Sequence, residues 1–136
     1  MVRVVPDTNI LISALMFGGL PGTFLDLAFL QSFQLVTSSI LLDELDEKLR
    51  LKFKVAPADA DFIRARLEKS AILVTPDVSL AVIKDDPDDD RVLECAIAGK
   101  ADYVVSGDRH LLTLGAYEGI PILSVRRFMD AIDAGI

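Results

Sequence analysis

Apolar positions in this chain fall into short β-branched runs separated by longer stretches with helical spacing. The first run, VRVV at 2–5, shows no polar alternation, as expected of a strand covered on both faces. It ends on Asp7, after which NILISALMF predicts a helix stopped by the glycines at 18 and 19. LPGTFLDLAFLQ opens a second helix with Phe24, Leu27, Ala28 and Leu30 on one side. QLVTS at 34–38 returns to strand. Ser38 and Ser39 offer caps for ILLDELDEKLRLKF, where Leu41, Leu45 and Leu49 recur at four-residue spacing and Glu44 lies one residue off the stripe. PADADFIRARLEKS predicts a further helix, AILVTP a short strand, and DRVLECAIAGKA a helix with Val92, Leu93, Ala96 and Ile97 inward. DYVVSGD reads as a strand that again ends on an Asp. RHLLTLGAY follows as a short helix, IPILSV as a last strand and RRFMDAIDAG as a closing helix. This alternation predicts an α/β protein, a three-layer α/β/α sandwich around a mainly parallel sheet.

Composition narrows the class. The chain has 136 residues, 51% apolar and 26% charged, with no linker-like tract, so one domain over 1–136 is expected. No signal-type segment opens it and no apolar run approaches the ~18 residues that cross a bilayer, which predicts a cytoplasmic protein without a membrane partner. Cys95 is the sole cysteine, which excludes an intrachain disulfide and a cysteine-based zinc site; VLECAIA marks it as a buried small residue. A net charge of −7 argues against holding nucleic acid through a bulk positive field. The charges are nevertheless segregated: DDPDDD at 85–90 has five acids in six positions, and KLRLKFK at 48–54 alternates four bases with apolar residues.

The acids carry the candidate chemistry. In an open parallel sheet the site lies beyond the carboxyl ends of the strands, and both Asp7 and Asp108 follow predicted strands directly. Glu44 sits early on the helix entered from QLVTS, and Asp89 and Asp90 start the helix that feeds the strand before Asp108, so one of that pair joins the same edge. Converging carboxylates repel and call for a cation, a shared proton or water. Oxygen ligands with no cysteine and a single histidine, His110, select a hard ion, Mg²⁺ or Mn²⁺, and such an ion suits phosphodiester hydrolysis. Each acid also has a plainer reading: Asp7 and Asp108 as helix caps, Glu44 as one surface acid among Asp43, Asp46 and Glu47, and DDPDDD as a solvated loop.

Three segments in order, PDTNILISAL, SSILLDEL and DPDDDRVLECAIAGKADYVVSGDRHLL, together resemble the PIN domain, and more narrowly the single-domain VapC-like ribonuclease toxins of toxin–antitoxin systems. The resemblance implies a parallel-sheet α/β/α fold and a metal-dependent endoribonuclease. The four acids then correspond to Asp7, Glu44, Asp89 and Asp108, both as metal ligands and as the catalytic set, with Asp90 the one-residue alternative to Asp89. Asn9 and Ser106 fall at polar positions of the family pattern and, with Thr8, would orient carboxylates or water. One or two Mg²⁺ or Mn²⁺ ions are implied, along with an RNA substrate, an antitoxin protein and a homodimer. Phosphate contacts fall to Arg109 and to Lys48, Arg50 and Lys52 of the basic run, with Arg64 and Arg66 behind them. For KLRLKFK the plainer reading is the wet side of a helix end, and for His110 a position on a helix surface.

Other classes fit less well. A haloacid-dehalogenase-type phosphatase needs a second acid where Asn9 stands, and a receiver domain needs a lysine that 122–126 lacks. A non-catalytic PIN-like module binding RNA or protein is the alternative, as is a metal held purely for folding; loss of Mn²⁺ affinity and cleavage in Asp7→Asn separates these from a nuclease.

Overall fold

Val4 and Val5 are fully buried on opposite faces of β1 (Arg3–Pro6), and their alternation defines the layers. Val4, Leu35 and Val105 face one core, while Val5, Val36 and Val104 face the other. The computed structural model describes residues 1–135; position 136, the last of the domain expected over 1–136, lies outside them.

In chain order the elements after β1 are α1 (Thr8–Met16), α2 (Gly19–Phe29), β2 (Gln34–Ser38), α3 (Ser39–Leu51), α4 (Pro57–Ser70), β3 (Ile72–Val74), α5 (Pro87–Ala98), β4 (Tyr103–Val105), α6 (Arg109–Leu114), β5 (Ala116–Tyr117), β6 (Ile120–Leu123) and α7 (Val125–Asp133). The strands lie in the order β3-β2-β1-β4-β6-β5, all parallel except the β5–β6 pair. This is the expected α/β sandwich. One core packs α1 and α2 with the Leu45–Leu49 side of α3, Leu67 of α4 and Phe128 of α7. The other packs α5 and Leu111 of α6. Phe24, Phe33 and Phe128 form a mutually stacked aromatic centre, with ring centroids 5.0 to 5.6 Å apart, at a spacing favourable for edge contacts.

Three differences from the sequence expectation matter. The acid run is not a loop before α5 but its first turn: Asp86 is the N-cap, Pro87 the first helical residue, and Asp88, Asp89 and Asp90 complete the turn. β5 is too short for any periodicity and forms because its two residues pair with β6 across Glu118 and Gly119, both at positive φ. Leu30, expected inward, lies just past the end of α2 and is exposed.

The chain runs outward through β2 and β3 on one side of β1 and returns through β4 on the other, so the strand order reverses between β1 and β4. Pro6 pairs with Val105, and the Asp7 amide donates to the Val105 carbonyl at 2.9 Å, which sets Asp7 and Ser106 side by side where these strands end. No single helix among the described residues is long and apolar enough to cross a membrane.

Candidate metal centre

Of the helices that begin at this sheet edge, three are capped by an aspartate, while Ser38 caps α3 and Ser124 caps α7. Asp7 caps α1, its Oδ1 accepting the amides of Asn9 at 2.8 Å and Ile10 at 3.2 Å. Asp108 caps α6 through Oδ1 and the amides of His110 at 2.8 Å and Leu111 at 3.3 Å. Asp86 caps α5 through Oδ1 and the Asp88 amide at 3.2 Å. A capping aspartate spends one oxygen on its helix, and the second remains for other work. Capping and metal ligation are therefore compatible in one side chain.

Ser106 ties two of these acids together. It is fully buried, donates its hydroxyl to Asp7 Oδ2, and accepts the Asp108 amide at 2.9 Å. Asp89 projects from the first turn of α5 toward the same place. One carboxylate oxygen each from Asp86, Asp89 and Asp108 lie within 4.8 Å of one another. Asp89 is buried, and its Oδ2 has no hydrogen-bond partner. Glu44 approaches from α3, accepting the Thr8 hydroxyl at 3.1 Å and pairing with Lys48 at 3.1 Å; Lys48 also reaches Asn9 Oδ1 at 3.4 Å. Asp7, Thr8, Asn9, Glu44, Lys48, Asp86, Asp88, Asp89 and Val92 line a pocket of about 50 Å³. A wider cleft of about 630 Å³ at Met1, Val2, Ser32, Asp102, Tyr103 and Pro121 lies at the opposite, amino-terminal ends of the strands and has no comparable cluster of acids.

Electrostatics follow from the crowding. Burial raises Asp7 above the usual carboxylate range, against the opposing pull of Ser106 and the amides of Ile10 and Asn9; the Asp108 charge adds to the rise. Asp89 is pushed up to about 8, first by burial and then by Asp108, Asp86 and Asp7. At Asp108 burial acts upward, but the pairing with the neighbouring Asp89 carboxyl, the amides of Leu111 and His110 and the His110 charge together lower it. Burial drives the Cys95 thiol up to about 12, so it is no nucleophile.

These residues fit a hard divalent cation. The donors are carboxylate oxygens, and a buried acid oxygen with no partner marks where a positive charge is wanted. Of the acids read from the sequence, Asp89 and Asp108 share the cluster with Asp86, while Asp7 and Glu44 line the pocket beside it, Asp7 near enough for its charge to raise Asp89. Asp90 turns away: its Oδ1 accepts the amides of Val82 and Ile83, both at 2.9 Å. Asp86 was absent from the sequence reading, although Asp followed by Pro is a helix-start signal that places it in α5's cap.

The basic residues divide. Lys48 lines the pocket, and Arg109 is exposed next to Asp108. Arg50 is engaged by Asp46 at 3.0 Å and Asp61 at 2.6 Å, which turns it to α4 rather than to the acids. Lys52 is exposed near the Phe53 ring, Arg64 pairs with Asp43 and Glu68, and Arg66 stacks over Phe29. His110 lies 4.0 Å from Asp85.

An acid cluster at the strand-order reversal of a parallel sheet gives an α/β protein a set of oxygen donors that could hold a cation, and comparison with known proteins supplies the family. A family model described as PIN domain matches residues 3–110, and the chain belongs to that family. It is also 32% identical over 119 residues to an uncharacterized protein of Methanocaldococcus jannaschii, covering 83% of this chain and 75% of that protein. PIN domains are generally metal-dependent nucleases that bind divalent ions through acidic residues, which gives this cluster a nuclease-type setting.

Proposed function

We propose that this chain is a Mg²⁺- or Mn²⁺-dependent endoribonuclease that hydrolyses RNA phosphodiester bonds in the cytoplasm, as the toxin of a toxin–antitoxin pair. The observation that carries the nuclease reading is the unpartnered, buried Oδ2 of Asp89 set among Asp86 and Asp108 at the strand ends. Asp7, Asp89 and Asp108 would hold the ion, with Asp86 and Glu44 completing its oxygen shell. When bound, a divalent ion acidifies water and offsets the negative charge that develops at phosphorus. The chain's own part is to fix the carboxylates. Ser106 locks Asp7 against Asp108, Thr8 holds Glu44, and the helix amides pin one oxygen of each capping acid. Lys48 and Arg109 border the acids where the phosphates of a bound strand would pass. No side chain is needed as nucleophile, since water supplies the oxygen.

The toxin role, an antitoxin protein that covers the site, and a homodimer rest on the family resemblance. Incubation of the protein with a panel of cellular RNAs and Mn²⁺ or Mg²⁺ tests the activity. The expected outcome is cleavage at mapped positions, abolished by chelator and by Asp7→Asn. Intact RNA at every metal concentration, or equal cleavage by Asp7→Asn, overturns it. Expression in a bacterial host tests the toxin role: growth arrest by the wild type but not by Asp89→Asn is expected, and unimpeded growth despite cleavage in vitro refutes it.

A further inference from the structure

α5 carries adjacent acids that face different ways. Asp89 points into the cluster, whereas Asp90 and Glu94, one helical turn apart, point to the segment that precedes the helix. That segment, residues 75–86, has neither helix nor strand. Its backbone polar groups need partners, and the buried carboxylates provide them. Leu80 donates its amide to Glu94 Oε2 at 2.8 Å, and Val82 and Ile83 donate theirs to Asp90 Oδ1. Arg91 closes the arrangement, donating to the Leu80 carbonyl at 3.2 Å and to Glu94 at 2.7 Å. Asp90 is 2% exposed and Glu94 5%, so these bonds are shielded from competing water. Ile83 is buried in the core against α5.

We propose that Asp90 and Glu94 are positioning residues for the metal centre, clamping residues 80–83 so that Asp86 is delivered to Asp89 and Asp108. Ile83 is three residues from Asp86, a reach of at most roughly 10 Å for extended chain, so the anchor at 83 restricts where the Asp86 carboxylate goes. Asp86 in turn caps α5, the helix that carries both Asp89 and the clamp. The circuit is closed: α5 holds the strap, and the strap's last residue caps α5 and joins the cluster. This rests on the metal-centre reading but not on RNA cleavage.

The test measures Mn²⁺ affinity by calorimetry on the whole chain. Asp90→Ala is expected to weaken it roughly 10- to 100-fold, the usual effect of losing a group that orients ligands. Asp90→Asn, whose carbonyl oxygen still accepts both amides, should recover most of it. Hydrogen exchange at Val82 and Ile83 should quicken in Asp90→Ala and stay slow in Asp90→Asn. Asp86→Ala should lower affinity to a similar degree, and adding Asp90→Ala to it should cost little more, because the two act through one route. Unchanged affinity in Asp90→Ala with faster exchange overturns the proposal, as does full additivity with Asp86→Ala. Equal loss in Asp90→Asn also overturns it, since Asp90 would then act through its charge. Should Asp90→Ala fail to fold, Glu94→Gln and Glu94→Ala carry the same comparison through the Leu80 amide. Metal binding that follows these expectations without any RNA cleavage sinks the nuclease proposal and leaves the clamp standing.

Discussion

Asp89 and Asp108 bring carboxylate oxygens within 4.8 Å of each other and titrate in opposite directions. Burial, Asp108, Asp86 and Asp7 push Asp89 up to about 8, while Asp108, beside Asp89 and accepting two amides, moves down. In the metal-free protein near neutral pH the coupled pair therefore keeps a proton between its two carboxyls. The stability consequence has a definite sign. An unfolded aspartate titrates near ~3.9, so between about pH 4 and 8 the native chain binds more protons here than the unfolded one. This residue's contribution is fully present in acid and is lost as pH rises toward 8. Melting temperatures in chelator at pH 5 and pH 8 should show the wild type losing ground to Asp89→Asn as pH rises. Parallel pH profiles for the two proteins would contradict the assignment.

The same proton reports metal binding. A cation at Asp89 takes the proton's place, so Mn²⁺ binding at pH 7 should release about one proton. Calorimetry in two buffers of different ionisation enthalpy measures it directly. Release should be absent in Asp89→Asn and should shrink above pH 8, where Asp89 is already ionised. Equal release at pH 7 and pH 9 would place the proton on another group.

At Asp7 the two oxygens have separable duties. Oδ1 caps α1, and Oδ2 accepts the Ser106 hydroxyl beside Asp108. Asp7→Asn retains an oxygen for the cap but loses the charge, so Mn²⁺ affinity should fall sharply with little change in melting temperature. Asp7→Ala removes both and should in addition lose about 0.5–2 kcal/mol for the missing cap. Urea unfolding in chelator distinguishes them; equal stabilities would mean that Oδ1 contributes no capping.

These divided duties also explain how much was legible in the chain. The buried β-branched runs and the Leu41–Leu45–Leu49 stripe expose the sandwich directly, because a strand covered on both faces and an amphipathic helix have different periods. Asp7 and Asp108 were legible because an acid after a buried strand falls at a sheet edge. Asp86 was not, since in DDPDDD composition hides which acids turn in, and helical phase only resolves them once the helix start is known. Placing that start at Pro87 sets Asp89 toward the cluster and Asp90 about 100° away, toward the strap. The basic run divides for a related reason. Its alternation gives no hint that Asp61, on the following helix, draws Arg50 away while Lys48 stays beside Glu44.

Lys48 holds a place that a metal would contest. Its ammonium pairs with Glu44 at 3.1 Å and reaches Asn9, so it neutralises an acid at the rim of the pocket. Lys48→Ala should strengthen Mn²⁺ binding several-fold by freeing Glu44 and, on the proposed RNA reading, raise KM for RNA through the phosphate contact it would remove. The KM effect should fade as salt rises, since screening weakens the lost contact in the wild type too. Weaker metal binding in the variant would show that Lys48 orients Glu44 rather than competing for it.

Gly99 governs how closely α5 approaches the sheet that carries the site. It caps the helix, its amide donating to the Cys95 carbonyl at 2.9 Å and its carbonyl accepting from Arg3 at 3.0 Å. A methyl group at this position would press into the Val36 side chain of β2 and sit 3.2 Å from the Cys95 carbonyl oxygen. Val36 is fully buried and has nowhere to move. Gly99→Ala should therefore destabilise the chain by about 1–3 kcal/mol, the usual range for overpacking. Val36→Ala opens the space that the new methyl needs, so the double variant should lose less stability than the sum of the two singles. Urea midpoints for the four proteins in chelator measure the coupling. Simple additivity would show that the cost at Gly99 arises in the helix cap and not in the contact with β2.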